Sequence, residues 1–143
     1  PVTLSLTSFP GTPDSVAAAR RFVAGVLRAC PQADAPEEMV DRAELIVSEL
    51  ATNAIRHTRS GEPGQTFRVH VYTDARGLHV QVHTLAPHRG HSVPRAVSCR
   101  DPWAEHGRGL LLVDRLATAW GTLAPWSEGV YFHLARDDLR PAP

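Results

Sequence analysis

The sequence predicts an α+β domain: a two-layer sandwich in which helices cover one face of a mixed, mostly antiparallel sheet. Three observations carry this expectation. Apolar residues recur at helical spacing in two consecutive segments before residue 58, and then alternate with polar residues in paired runs that read as hairpins. The resulting order is strand, two helices, hairpin, long loop, helix, hairpin, which lacks the regular strand–helix alternation of a doubly wound parallel sheet. The chain has 143 residues, 43% of them hydrophobic, enough for one core, so 1–143 is read as a single domain.

Taken in order, Val2, Leu4 and Leu6 alternate with Thr3, Ser5 and Thr7, the mark of a half-buried edge strand that Pro10-Gly11 ends. Thr12 before Pro13 predicts an N-cap, followed by a helix with Val16, Ala19, Phe22, Val23, Val26 and Leu27 on its apolar face and an end near Cys30-Pro31. Asp34, with Glu37 three residues on, predicts a second capped helix whose stripe runs Val40, Ala43, Ile46, Val47, Leu50, Ala54 and which reaches about His57. After the loop from Arg59 to Gly64, Phe67, Val69 and Val71 pair with Leu78, Val80 and Val82 as a hairpin turning between Asp74 and Gly77. His70, His79 and His83 fall on its polar face and read as exposed sheet surface. Thr84 to His106 shows no period and is far longer than the usual ~4–6-residue connection, the mark of a functional segment. A third helix begins at Leu110, and strands around Ala119 to Leu123 and Val130 to Leu134 close the domain across a Ser127-Glu128-Gly129 turn. Trp103, Trp120 and Trp126 read as core or rim packing, Trp103 lying in the long loop where it can cover a ligand.

Composition excludes several functions. Fifteen basic residues balance fifteen acidic ones, so there is no broad positive field for nucleic acid. Every basic residue is Arg, which removes Walker A and Schiff-base chemistry, both of which need lysine. Cys30 and Cys99 form no metal or disulfide pattern, and the histidines of the long loop, His88 and His91, have no Cys or acidic companions that would make a metal site. No apolar run approaches the ~18 residues of a membrane span, and Pro1 to Phe9 alternates instead of forming a signal-peptide core. The expectation is a cytoplasmic domain with no membrane partner.

Two features can carry chemistry. Glu49 and Asn53, four residues apart on the second helix, place a carboxylate and an amide on one face; the amide oxygen suits Mg²⁺ and the carboxylate can accept a hydroxyl proton. Taken alone, such a pair more often decorates a solvated helix face. Gly107-Arg108-Gly109 ahead of Leu110 allows close backbone approach and opens a helix whose free N–H groups suit an anion, a phosphate site that needs no lysine.

In combination these segments resemble the GHKL (Bergerat-fold) ATPase superfamily, and within it the RsbW-type anti-sigma factors that are serine kinases, common in actinobacteria. The stretch Glu44 to Thr58, centred on Glu49-Leu50-Ala51-Thr52-Asn53, is similar to the family's N box, and Glu105 to Val113 to its second glycine box. Trp120-Gly121 and Gly129 to Phe132 are similar to its closing strands. The resemblance implies that Asn53 holds Mg²⁺, that Glu49 is the general base, and that Gly107, Arg108, Gly109 and Leu110 line the ATP triphosphate beneath a lid formed by the long loop. It also implies a homodimer, with the first helix and the strand at Val2 to Leu6 as candidate contacts, acting on a sigma factor and a STAS-type anti-anti-sigma protein. One position departs: Thr84 stands where the family has the Asp that reads the adenine amino group. A neutral acceptor in place of a charged one predicts ATP binding weaker by about 1–2 kcal/mol. Three functions are therefore weighed: a kinase that regulates a sigma factor, a partner-sequestering member of the same fold with weak nucleotide binding, and a detached domain serving histidine phosphorylation, for which the chain lacks a dimerising helical hairpin.

Overall fold

The computed structural model describes residues 2–31, 33–88 and 108–139. Strand β1 (Thr3–Pro10) leads into helices α1 (Asp14–Ala29) and α2 (Glu37–His57) and a 3-10 turn (Arg59–Gly61). The hairpin β2 (Thr66–Asp74) and β3 (Gly77–His83) follows, then helix α3 (Arg108–Leu116), strands β4 (Ala119–Thr122) and β5 (Gly129–Ala135), and a closing 3-10 turn (Arg136–Leu139). The five strands form one sheet in the order β1-β2-β3-β5-β4. It is antiparallel at every pairing among the described residues, so the sheet needs no parallel component.

The α2 stripe behaves as its 3.6-residue period requires: Val40, Ala43, Ile46, Val47, Leu50 and Ala54 are all buried. They pack with Val23 and Leu27 of α1 over Phe67, Val69 and Val71 of β2, Val80 and Val82 of β3, and Phe132 and Leu134 of β5. All three strands turn alternate residues inward, which puts the core between the helical layer and one sheet face.

Strand β1 corrects its expected phase. Leu4 and Leu6 are 50% and 58% exposed, and they lie opposite Tyr72 and His70 on the face away from the helices. Phe9 causes this: it pairs with Phe67, stacks on it at 5.5 Å, and meets Phe22 of α1 edge-on. Because the strand period is two, an inward Phe9 turns Ser5 and Thr7 towards the helices and the leucines outward.

Both helix caps also differ from expectation. Pro13, not Thr12, precedes α1; Thr12 contributes its carbonyl, which accepts from the Ser15 backbone N–H at 2.9 Å. Pro36 precedes α2, while Asp34 adopts a left-handed φ of 40° and its carboxylate pairs with Arg136 at 2.5 Å. An ion pair to the far end of the chain has displaced the local cap.

The open sheet face carries an aromatic array in place of a freely solvated polar surface. His70 stacks on His83 at 4.2 Å, and His79 stacks on Tyr131 at 5.4 Å. Hydrogen bonds join Ser127 Oγ to His83 Nδ1 (3.2 Å), His83 Nε2 to Gln81 Oε1 (2.8 Å), and Gln81 Nε2 to His79 Nε2 (3.2 Å). That chain is satisfied by neutral rings: the serine hydroxyl donates to Nδ1, Nε2–H donates to the amide oxygen, and the amide nitrogen donates to His79. Burial lowers the pKa of His70, His79 and His83, and neighbouring positive charge lowers each further. Trp126 is 91% exposed and packs neither core nor rim; Trp120 does pack on the core and donates its indole N–H to Asp114 at 3.0 Å.

Candidate functional site

Antiparallel pairing of β3 with β5 brings the end of one strand beside the start of the other, under the C-terminal half of α2 and the first turn of α3. A cleft opens there, with about 400 Å³ of empty space when its open mouth is included. Leu50 and Ala54 of α2, Val82 of β3, Leu110 of α3 and Val130 of β5 form apolar walls. The polar lining comes from Asn53, Thr58, Thr84 and Glu128.

Asn53 is 5% exposed, and its amide nitrogen is buried without a hydrogen-bond partner among the described residues. A buried amide left so costs on the order of 1–3 kcal/mol, an expense that a ligand in the cleft would relieve. Thr84 enters the cleft because its backbone N–H donates to the Glu128 carbonyl at 3.1 Å, continuing the β3–β5 ladder beyond His83 and Gly129. Gly129 is required at this crossing: its φ is +141°, and a Cβ there would lie 2.1 Å from the Val82 carbonyl oxygen.

The cleft edge is also tied down on its α2 side. The Thr58 hydroxyl donates to the Ala54 carbonyl at 2.6 Å and accepts from the Ser60 N–H at 3.0 Å, closing the helix. Leu85 N–H donates to Ser60 Oγ (2.9 Å), Arg59 N–H to the Ala86 carbonyl (3.0 Å) and His88 N–H to the His57 carbonyl (3.1 Å). The His88 ring adds a bond from Nε2 to the Thr58 carbonyl at 2.6 Å, so this histidine is engaged with the end of α2.

The structure thus brings Asn53, Thr84 and Leu110 into one site. Glu49 lies one turn before Asn53 on α2, half-buried, and does not line the cleft. Arg108 and Gly109 open α3, whose third residue is the cleft-lining Leu110. Gly107, Trp103 and most of the long loop lie outside the described residues. Thr58, Pro87 and Glu128 are cleft residues that sequence reasoning missed. Glu128 read only as a turn residue, and its placement follows from pairing two strands distant in sequence, His83 with Gly129 and Gly77 with Ala135, which no local pattern reveals.

Apolar walls with a few convergent polar groups suit a flat heteroaromatic body bearing hydrogen-bond donors. The Asn53 amide can meet a phosphate through its nitrogen or a cation through its oxygen. A family model described as the histidine kinase-like ATPase domain matches residues 9–121, from the end of β1 into β4. No individual curated protein matches the chain. Among the described residues, no helix is long and apolar enough to cross a membrane.

Proposed function

Because the chain belongs to the histidine kinase-like ATPase domain family, we propose that it is a regulatory serine kinase of the anti-sigma type. In this reading it binds ATP and Mg²⁺, holds a sigma factor, phosphorylates an anti-anti-sigma antagonist of STAS type, and works as a cytoplasmic homodimer. The observation that carries the nucleotide part is the buried amide nitrogen of Asn53, a donor without a partner among the described residues and suited to a phosphate oxygen, in an apolar cleft.

The residues fit these groups. Asn53 would hold the magnesium through its amide oxygen and leave its nitrogen to a phosphate, Thr84 would face the base, and the first turn of α3, with Arg108, Gly109 and Leu110, would offer free backbone N–H groups to phosphate. Magnesium, when bound, supplies neutralisation of phosphate charge. Glu49, with its carboxylate outside the apolar walls, would accept the proton of an incoming serine hydroxyl.

The test is transfer from γ-labelled ATP to a purified STAS-domain antagonist. Wild type should label the antagonist on serine. Glu49→Ala should abolish transfer and leave ATP affinity within about twofold, whereas Asn53→Ala should lower both. Equal loss of ATP binding in the two variants would overturn this division of roles. Thr84 in place of an acidic residue favours a second reading, a partner-sequestering protein with weak nucleotide binding, and a wild type that binds the sigma factor but transfers no label would establish it.

A further inference from the structure

Among the described residues that line the cleft Glu128 is the one that is charged, and the family match ends seven residues before it. Its carbonyl is bonded to the Thr84 N–H, so the residue stands directly beside the position where an acidic acceptor is missing. The neighbourhood is built to keep it there. Gly129 allows β5 to cross against Val82, Leu123 N–H donates to the Gly129 carbonyl at 3.0 Å, and Ser127 N–H donates to the Leu123 carbonyl at 3.2 Å. On the other sheet face the Ser127 hydroxyl is held by His83. A carboxylate at the rim of an apolar slot selects ligands that present N–H donors and disfavours those that present a carbonyl oxygen at the same point.

We propose that Glu128 reads the nucleobase, its carboxylate accepting from the exocyclic amino group of adenine and so restoring from the β4–β5 turn the charged acceptor that Thr84 cannot supply. The inference rests on the nucleotide-binding reading above and assigns a specificity residue to the same cleft. Thr84 then contributes a neutral hydroxyl at the strand end, and discrimination between bases comes from Glu128.

Titration calorimetry with ATP and with ITP, each with Mg²⁺, tests this on the full chain. The two nucleotides differ along one edge of the base: adenine's amino donor becomes a carbonyl oxygen, and N1, an acceptor in adenine, carries a hydrogen in hypoxanthine. Wild type should bind ATP about tenfold or more tightly than ITP, because the wrong base sets an oxygen against the carboxylate. Glu128→Gln, a conservative change at a half-buried turn position, should weaken ATP about tenfold and leave ITP no weaker, so that the preference collapses. The comparison of nucleotides on wild type needs no variant and stands if Glu128→Gln misfolds. Equal binding of ATP and ITP by wild type, or a preference that survives Glu128→Gln with its melting temperature unchanged, overturns the role of Glu128 while nucleotide binding stands. Binding of neither nucleotide by folded wild type overturns the nucleotide reading itself, and this inference with it.

Discussion

Mild acid should destabilise the fold through His83, and the size of the effect follows from its surroundings. Burial first, then the charges of His70 and Arg68, lower its imidazole from the ordinary 6.5 to about 4. A base with a folded pKa below its unfolded one stabilises the native state fully above the unfolded pKa, and that contribution is lost as pH falls from 6.5 towards 4. At about pH 5 the unfolded ring is almost fully protonated and the folded ring almost fully neutral, which corresponds to about 2 kcal/mol; solvent screening of this partly exposed ring reduces it to roughly 1 kcal/mol. The perturbation is His83→Gln, which removes the titration and leaves His70, His79 and the carboxylates to cancel between the two proteins. Urea unfolding at about pH 7.5 and about pH 5 is the assay, and wild type should lose roughly 1 kcal/mol more than the variant across that interval. Identical losses would show that His83 titrates normally in the folded state, and the neutral chain from Ser127 through His83 and Gln81 to His79 would be wrong.

Further outcomes follow from packing and backbone geometry. Gly129→Ala should cost about 2–4 kcal/mol in urea unfolding, because it combines a left-handed backbone with a Cβ 2.1 Å from the Val82 carbonyl, and an unchanged midpoint would contradict the crossing described here. Phe67→Ala removes a fully buried ring that stacks on Phe9 and should cost about 3–5 kcal/mol; a loss under about 1 kcal/mol would mean that β1 is not held by this pair. Leu6→Asp, at an exposed site, should change stability by no more than about 0.5 kcal/mol. If the proposed homodimer uses β1, the same variant should convert the light-scattering mass from dimer to monomer, and a dimer that survives it would remove β1 from the interface.

Periodicity determined a great deal of this protein. The apolar stripe of α2 from Val40 to Ala54, the β2–β3 hairpin around Asp74 and Gly77, and the body of α3 from Leu110, which the structure extends back to Arg108, are each set by interactions within a few residues, so each is legible from spacing alone. Asn53 was legible for the same reason, since its place on α2 follows from the helix. What the sequence could not decide was which elements meet. The facing of β1 depended on Phe9 finding Phe67 and Phe22, and the α2 cap yielded to a pairing of Asp34 with Arg136 across the chain. The cleft is the strongest case. Asn53, Thr84, Leu110 and Glu128 come from four separate segments, and only the β3–β5 ladder, with Gly129 against Val82, draws the last of them beside the second. Local preference is encoded within a turn or a strand, whereas convergence of distant segments is settled by burial of the shared core, an energy that belongs to no single stretch of sequence.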